Sequence, residues 1–371
     1  MPGLLIQTPV TEQSTCAHQE CGGDILKPSA RTILERCDVQ ELRELERLRR
    51  LGWNEAALQS YYDERRRNAD EHGRLAFETQ RYYYNAVAQS MHELIAIAGV
   101  IPKSGIYDFL VINCLQGGHG SAILQSAPRA FGVGIDPPSE HAEGTFLLDK
   151  LDKKLSRRYM RIECDLGTDE HPLFPHIHNF DLVILGGNRL RVHLHPDEKE
   201  TMLSIPDVLG SARLIGDFIA ALAFVQAGGT IVARLSHLEE FPSTHLLYLL
   251  DAISDTIVVH KPAFRGSGAT RPWFHVVAKG VAATDEHALL KERYLAGLRG
   301  LWADLRGEGT NASTARGLRF DDLDFVVSTT DILDPKGYLP RLVELGRGVW
   351  KTQAQAISDF LAKKGVRLGD V

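Results

Sequence analysis

The feature that most constrains the fold of this 371-residue chain is a series of seven short apolar runs. They alternate with helix-length stretches and read YDFLVINCL, AFGVGID, YMRIEC, FDLVIL, GTIVARL, DTIVVHK and WFHVVAKG. Such alternation is typical of a parallel sheet built from βαβ units. PAFRGSGATRP, between the last two runs, is too short for a crossover helix, so strand seven should lie antiparallel beside strand six. We predict an open, mostly parallel α/β sheet with one reversed strand near its edge.

Helical patterns precede the predicted sheet. Leucines recur every third residue from Leu42 to Leu51, where Asp38 is placed to cap a helix and Gly52 to stop it. Asn54 is placed to cap the next helix. A long third helix is predicted over about residues 75–98, ending at Gly99. These patterns predict a helical region ahead of the sheet.

Further helices are predicted inside and beyond the sheet. The helix before strand five should run from Leu209 to Val225, with Pro206 in its first turn and Gly228-Gly229 as its break. Two C-terminal helices are predicted over 286–305 and 339–364. The predicted organisation is a flexible tail (1–30), a helical N-terminal region (31–100), a sheet domain (101–281) and a helical C-terminal region (282–371).

Charge and composition limit the classes of partner. The net charge is −6, and the arginine clusters are interleaved with acids, so there is no global attraction to a polyanion. No apolar run approaches the ~20 residues that span a bilayer. Five cysteines without framework spacing suit free thiols, while Cys16, His18, Cys21 and Cys37 form a weakly supported zinc alternative. We expect an intracellular protein, cytoplasmic or nuclear, with no metal and no membrane association.

The candidate site lies where the predicted strands end. The first strand runs into NCLQGGHGSAIL, in which glycines would let the backbone approach a ligand and a helix would open near His119. Asp136 follows strand two, where an acid can accept both hydroxyls of an adenosine ribose. Asp165 follows strand three and could reach an adenine amino group. Each acid could instead begin a turn or cap a helix.

Two cofactors suit such a site, a dinucleotide or S-adenosylmethionine. The dinucleotide fingerprint GxGxxG/A fails, because Ile123 stands where the third small residue belongs. The antiparallel seventh strand also favours a methyltransferase. The sequence therefore favours S-adenosylmethionine.

Five stretches of the chain resemble, in order and spacing, the FtsJ-like (RrmJ-type) methyltransferases, and their character is that of a fungal-type branch of this family. The stretches are FLVINCLQGGHGSAILQ, AFGVGIDPP, FDLVILGGNRL, IAALAFVQAGGTIVARLS and HKPAFRGSGATRPWFHVVAKGV. The resemblance covers about residues 80–281. It implies a Rossmann-like class I methyltransferase fold, S-adenosylmethionine as cofactor and RNA ribose 2′-hydroxyls as acceptors. The positions that it carries over to the cofactor are Gln116, Gly117, Gly118, His119, Asp136, Asp165 and Gly186.

The catalytic Lys-Asp-Lys-Glu tetrad that the resemblance implies is missing. Its acid aligns with Gly186 and its second lysine with Arg234, which is a poor general base. The first lysine would fall near Tyr84 or Asn85. The glutamate would fall near Pro272 or Trp273.

This loss leads to a hypothesis of a retained S-adenosylmethionine pocket beside an altered acceptor site. Arg234 would bind an anionic group of the acceptor, Asn188 would orient it, and His119 or His237 would act as base. RNA or a small molecule would be the acceptor, and the oligomeric state is not predicted. Basic and aromatic residues for RNA are Arg189, Arg191, His193, Arg265, Arg271, Phe264 and Trp273. The alternatives are a catalytically silent binding or partner protein and a nucleotide-dependent oxidoreductase.

Overall fold

The computed structural model describes residues 30–70, 77–101, 107–114, 116–136, 146–164, 179–187, 207–263, 267–309 and 314–368. Its strands are β1 Tyr107–Ile112, β2 Ala130–Asp136, β3 Tyr159–Glu163, β4 Phe180–Leu185, β5 Val225–Ser236, β6 Thr256–His260 and β7 Trp273–Val281. Its described helices are α1 Ala30–Cys37, α2 Gln40–Asn54, α3 Ala56–Asp70, α4 Phe77–Ala98, α5 Gly118–Ser126, α6 Leu148–Leu151, α7 Lys153–Ser156, α8 Val208–Phe224, α9 Ser243–Ala252, α10 Ser267–Thr270, α11 Asp285–Arg306, α12 Thr329–Ile332 and α13 Leu339–Lys363.

All seven strands form one sheet, in the order β3-β2-β1-β4-β5-β7-β6. Strands β1 to β5 pair in parallel, whereas β7 pairs antiparallel with both β5 and β6. The predicted open sheet with a reversed last strand is confirmed. The structure adds that β7 is inserted between β5 and β6, a pairing order that the spacing of the runs alone does not specify.

The predicted ends of the first helices are wrong. Val39 occupies the N-cap of α2, and Asp38 lies one residue earlier with φ +50. Gly52 lies inside α2, which continues to Asn54. A Cβ at Gly52 would lie 3.2 Å from the Tyr62 hydroxyl and 3.3 Å from Leu361. Close packing against α3 and α13 therefore explains this glycine, which does not end the helix.

The long helices lie close to their predicted bounds, but the glycine pair before strand five does not separate a helix from a strand. Helix α8 ends at Phe224 and β5 begins at once, so Gly228 and Gly229 lie within the strand. Gly228 has φ +77, and the pairing with β7 shifts register between Gly229 and Thr230. The pair marks an irregularity of β5.

Helices cover both faces of the sheet. On one face, α4 and α5 pack against apolar side chains of β1, β4, β5 and β7, such as Phe109 and Val232. On the other, α8, α9 and α11 share one apolar cluster with α1, α2 and α13. Helices from both ends of the chain thus contribute to the core of that face. Among the described helices, none combines the length and the hydropathy needed to cross a membrane.

A buried ion pair joins three distant parts of the chain. Glu239, after β5, accepts from Arg49 of α2 at 2.6 Å and from the Trp350 indole of α13 at 2.9 Å. Arg49 also binds Glu46 at 2.5 Å. Burial alone would raise the pKa of Glu239, but the Arg49 guanidinium and His237 hold this pKa well below its usual value. The carboxylate is therefore ionised in the folded protein.

We expect Glu239→Gln to lower the free energy of unfolding by about 3 kcal/mol, because it leaves a buried guanidinium undercompensated. Since the folded pKa is depressed, this stabilisation is present above the unfolded pKa of about 4.3 and is lost as pH falls below it. Urea unfolding of both proteins at neutral and acidic pH measures this. Glu344→Gln, at an exposed pair with Arg341, should change stability by less than about 1 kcal/mol. Equal effects of the two changes would contradict this role of Glu239.

Candidate functional site at the carboxyl ends of β1, β2 and β4

The connection from β1 to α5 is a tight turn at the carboxyl edge of the sheet. Asn113 has φ +56, and its N–H donates to the Ile135 carbonyl at 2.7 Å. Gly117, with φ +90, is the N-cap of α5. The carbonyl of the preceding Gln116 accepts from the Leu147 N–H at 3.0 Å. The turn is thus fixed by β2 on one side and by the start of α6 on the other.

The glycines of this turn are in close contact with other parts of the protein. A Cβ at Gly117 would lie 2.8 Å from the Phe146 ring, and one at Gly118 would lie 2.5 Å from the carbonyl of Tyr84 on α4. A backbone carbonyl cannot yield as a flexible side chain can. Packing of α5 against α4 is therefore sufficient to explain Gly118, and close approach of a ligand to this turn stays a prediction.

Asp136 ends β2 and is buried, with 2% of its surface exposed. Its Oδ2 accepts from the Cys114 thiol at 2.9 Å and from Arg161 Nε of β3 at 3.0 Å. Burial, with Asp136 adding to it, raises the pKa of Cys114 well above its usual value, so the thiol keeps its proton and remains a donor. The predicted ribose acceptor is at the predicted strand end, but protein donors already engage one of its oxygens.

Arg161 connects Asp136 to the neighbouring groups of this edge. Its Nη1 lies 3.0 Å from Glu163, the register partner of Asp136 on β3. Its guanidinium carbon lies 5.3 Å from the centroid of the Phe146 ring, which stacks on Tyr159 with centroids 5.7 Å apart. Arg161 and Phe146 together occupy space beside the Asp136 carboxylate.

Gly186 follows β4 and lies against the backbone at the carboxyl end of β1. Its N–H donates to the Ile112 carbonyl at 2.8 Å, and a Cβ there would lie 2.5 Å from the Asn113 carbonyl oxygen. Any side chain at this position would collide with backbone. The catalytic acid of the resembled family aligns with Gly186. This backbone has room there for glycine only.

Arg234 lies near the carboxyl end of β5, directly opposite His275 of β7 in the antiparallel ladder. Its guanidinium carbon lies 5.4 Å from the centroid of the Trp273 ring. Trp273 and His275 are two residues apart on one strand, with ring centroids 5.4 Å apart, so they share a face of the sheet. The register places His275, and not Pro272 or Trp273, opposite Arg234.

Two histidines near Arg234 are buried and uncharged at neutral pH. Burial, assisted by the Arg234 guanidinium, lowers the pKa of His119 at the start of α5 to about 3. Burial also lowers the pKa of His275 well below its usual value, with smaller contributions from His119, Arg234, His260 and Lys261. His119 is consequently a weak base, which suits a hydrogen-bonding role better than proton abstraction.

Lys261 fixes the segment that leads into β7. Its ammonium lies 5.0 Å from the centroid of the Trp273 ring and donates to the carbonyls of Gly268, Arg271 and Trp273. Burial, with Arg49 and Arg234, lowers the pKa of Lys261 to about 6. Three carbonyl acceptors need three N–H groups, and only the ammonium form has them. The three hydrogen bonds therefore require the charged form of Lys261, and they favour it against the lowering of its pKa by burial. In this form, Lys261 holds the backbone of Trp273 in place.

Several predicted residues lie outside the described part of the chain. These are the orienting Asn188, the adenine-binding Asp165, the zinc candidates Cys16, His18 and Cys21, helix residue Pro206, and the RNA candidates Arg189, Arg191, His193, Phe264 and Arg265. Their roles stay predictions. Among the described residues, the turn from β1 into α5 with His119, Asp136, Gly186 and Arg234 all lie toward the carboxyl ends of the parallel strands.

His237, the other proposed base, belongs to a group of potential metal ligands. Its Nδ1 lies 3.7 Å from Glu239 and 3.6 Å from Glu240. Both Glu239 oxygens already accept hydrogen bonds, from Arg49 and from Trp350. A divalent cation here would have to compete with the Arg49 guanidinium. We therefore interpret the group as part of the ion-pair network that joins the terminal helices.

Sequence reasoning missed Arg161, Lys261 and His275. Arg161 stands two residues before the end of its strand, on the same face as Glu163, so its reach to Asp136 could have been suspected. His275 could not have been placed beside Arg234 without the pairing of β5 with β7. Lys261 gave no signal, because a lysine after a strand is ordinary on a surface.

Strand order, helical layers on both faces and the reversed β7 define a Rossmann-like class I methyltransferase fold. Neither a model of a known protein family nor a curated protein matches the sequence.

Three solved structures illustrate what the chain resembles. A protein from Plasmodium falciparum described as a ribosomal RNA methyltransferase is 16% identical over 53% of this chain and 98% of its own, with a TM-score of 0.36. A TehB-like SAM-dependent methyltransferase from Corynebacterium glutamicum is 16% identical over 55% and 96%, with a TM-score of 0.33. Spermidine synthase from Thermotoga maritima is 12% identical over 56% and 63%, with a TM-score of 0.33. The strand order itself, and not these likenesses, defines the fold class.

We expect Gly186→Ala to destabilise the protein by about 2 kcal/mol, since the added Cβ meets a backbone oxygen and the exits of β1 and β4 must separate. Gly348→Ala is the matched control, because a Cβ at this exposed position of α13 meets nothing within 4 Å. It should stabilise by up to about 1 kcal/mol through helix propensity. Chemical unfolding of both variants measures the difference, and equal stabilities would show that the β1–β4 contact is not tight.

Proposed function

We propose that this protein is an S-adenosylmethionine-dependent methyltransferase whose cofactor binds at the carboxyl ends of β1 and β2. The observation that carries the proposal is Asp136, a buried carboxylate at the end of β2 beside the turn from β1 into α5. In an open α/β sheet, ligands bind at the carboxyl ends of the strands near the switch point, and an acid at this position can accept ribose hydroxyls. The turn formed by Gln116, Gly117, Gly118 and His119 would lie along the cofactor.

The residues fit the cofactor on one condition. The Asp136 oxygen that Arg161 and Cys114 engage must exchange at least one of these donors for a ribose hydroxyl. Arg161 is the group to be displaced, because its side chain is 24% exposed whereas Cys114 is buried. Asp165 and Gly186 complete the proposed cofactor positions. When bound, S-adenosylmethionine supplies a methyl group on a sulfonium.

The acceptor would lie beside Arg234, with Asn188 to orient it. Alignment of acceptor and donor can supply much of the acceleration of a displacement reaction. His119 is a weak base, Arg234 is always charged, and His237 is close to two carboxylates. This set favours an acceptor that needs little deprotonation over an unactivated ribose hydroxyl. RNA, which the resemblance implies, and a small molecule are the two candidate acceptors.

A second candidate function is a catalytically silent binding or partner protein. The closed contact at Gly186 favours it, because that backbone has no room for an acid at the catalytic position. The network of Asp136, Arg161 and Cys114 favours it further, because protein donors already engage one oxygen of this carboxylate. The two functions differ in turnover and not in fold.

Titration calorimetry with S-adenosylmethionine and with NAD tests the cofactor site. We expect binding of S-adenosylmethionine in the micromolar range, no binding of NAD, and a loss of about tenfold or more in Asp136→Asn, which removes the charge that accepts the ribose hydroxyls. Asp149→Asn, in the short helix α6, is the control. Absence of binding by the folded wild-type protein would overturn the methyltransferase proposal, and binding of NAD alone would support an oxidoreductase.

Arg161→Gln should tighten binding of S-adenosylmethionine by about fivefold, because it removes a partly exposed ionic competitor for Asp136. Arg157→Gln, at an exposed position just before β3, should leave the affinity unchanged. The same calorimetric titration measures both variants, with thermal unfolding to confirm that they fold. Weaker binding in Arg161→Gln would show that Arg161 belongs to the cofactor site and is not displaced from it.

A further inference from the structure

Three nitrogen-bearing side chains form a row across the reversed part of the sheet. His275 of β7 stands directly opposite Arg234 of β5 on one side and His260 of β6 on the other. Directly opposite residues of antiparallel strands lie on the same face, about 5 Å apart. The three side chains therefore project together from the face that α4 and α5 cover. We call Arg234, His275 and His260 the basic row.

The basic row marks a sharp change of polarity on this face. One step toward the sheet interior, its neighbours are Val232, Val277 and Val258, which belong to the apolar cluster under α4 and α5. One step outward, Trp273 pairs with Ser236 at the edge of the sheet. The row thus lies at the boundary between the apolar core and the carboxyl edge where the acceptor is proposed to bind.

Within the basic row, His275 has a buried ring nitrogen without a hydrogen-bond partner among the described residues. It is 3% exposed, and this nitrogen is Nδ1. A buried polar atom without a partner costs free energy, because it loses its hydrogen bonds to water. Such an atom beside a half-buried arginine is explained if a ligand supplies the missing hydrogen-bonding group.

The permanent positive charge beside His275 is that of Arg234 on β5. Lys261 follows β6 and donates as an ammonium to three carbonyls, while the uncharged His119 approaches from α5. On α4, Glu93 is 3.5 Å from His260, at the far end of the row. A metal ion is disfavoured, since no group of metal-ligating side chains at this place was found among the described residues and Arg234 would repel a cation. An anion is attracted by the same charges.

We propose that Arg234 and His275 bind a phosphate group of the methyl acceptor. The guanidinium presents parallel N–H donors that match a tetrahedral oxyanion, and the imidazole of His275 adds a further donor. The Trp273 ring lies beside this guanidinium, with 5.4 Å between the ring centroid and the guanidinium carbon. The identification of this ligand as the methyl acceptor rests on the proposed function. The anion site itself does not, because anion binding needs no cofactor.

Binding of a dianion should be coupled to protonation of His275. A nearby negative charge raises the pKa of an imidazole, against the lowering by burial and by His119, Arg234, His260 and Lys261. His275 is then protonated when the anion is bound and neutral when it is not, so that binding takes up a proton. Affinity for the dianion must therefore increase as pH falls below the pKa of the bound form. The acid that faces the row from α4, Glu93, lies 3.5 Å from His260.

Sulfate is the probe for this site, because it has the shape and charge of a phosphate dianion but does not titrate near neutral pH. Its binding to the full chain is measured by calorimetry without S-adenosylmethionine. We expect affinity at about pH 5.5 to exceed that at about pH 8 by about tenfold, with net proton uptake visible as a dependence of the heat on the buffer. Failure of sulfate to bind at either pH would overturn the proposal.

Variants separate the two parts of the site. Arg234→Gln should weaken sulfate binding by about tenfold at both pH values, because it removes the permanent charge. His275→Gln keeps a hydrogen-bonding side chain but cannot be protonated, so its affinity at low pH should fall to the value at high pH. His245→Gln is the matched control. His245 is equally buried, has an unpartnered Nε2 and lies on α9, and burial lowers its pKa to about 4. An equal effect of all three changes would overturn the proposal.

Competition identifies the source of the phosphate. A single-stranded oligoribonucleotide that displaces sulfate, when a nucleoside monophosphate does not, indicates an RNA backbone; the opposite result indicates a small phosphorylated acceptor. Displacement by neither contradicts the assignment to a phosphate group. These results are independent of the titration with S-adenosylmethionine, so loss of the cofactor proposal and loss of the anion site are distinguishable.

Discussion

The antiparallel insertion of β7 between β5 and β6 is the constraint on which the candidate acceptor site depends. A parallel strand in that position would begin at the opposite edge of the sheet. Because β7 runs in reverse, its first residues lie at the carboxyl edge, and Trp273 and His275 stand beside Arg234. The Lys261 ammonium, bound to the Trp273 carbonyl at 2.5 Å, fixes the point where this strand enters. One reversed strand thus brings residues of three strands to the edge where ligands bind in such sheets.

The carboxyl ends of β2 and β3 have a different physical character, since their charged side chains are paired with one another. Asp136 is bound to Arg161 and to the Cys114 thiol, and each partner would lose a charge-assisted hydrogen bond if a ribose replaced it. A neutral ribose hydroxyl makes a weaker hydrogen bond to the carboxylate than the guanidinium that it displaces, so the exchange costs binding free energy. The affinity for a nucleoside would then depend on the surface that the base buries. A satisfied carboxylate therefore lowers affinity without closing the site.

Much of the fold could be predicted from the sequence, because apolar runs and helix periodicity are local signals. All seven strands and the long helices α4, α11 and α13 follow from them. Glycines misled where packing selects them: Gly52 lies inside α2 against Tyr62, and Gly228 lies inside β5. The local sequence does not distinguish a glycine that ends a helix or strand from one that lets a neighbouring side chain pack closely against the backbone.

The candidate site could be predicted only in part, since its remaining contacts are long-range. Asp136 was identified from its place at a strand end and Arg234 from the resemblance, and the structure puts both at the carboxyl edge. The partner of Asp136 on β3 and the partner of Arg234 on β7 depend on strand register, which no local pattern encodes. The resemblance showed that Gly186 stands where the family has its catalytic acid. Only the structure shows that the backbone leaves no room for a side chain at this position.

The closed position at Gly186 and the weak basicity of His119 together restrict the chemistry open to this edge. An acid cannot be restored at Gly186 without moving the exits of β1 and β4 apart, so a variant that only reintroduces one residue of the tetrad would not rebuild it. With Arg234 permanently charged, proton removal from an alcohol would have to rely on groups whose pKa values are poorly matched to that task. Positioning of an acceptor by its own negative charge demands neither an acid nor a strong base. A phosphate held by Arg234 and His275 would supply that positioning, and the acceptor atom would then have to be nucleophilic by itself.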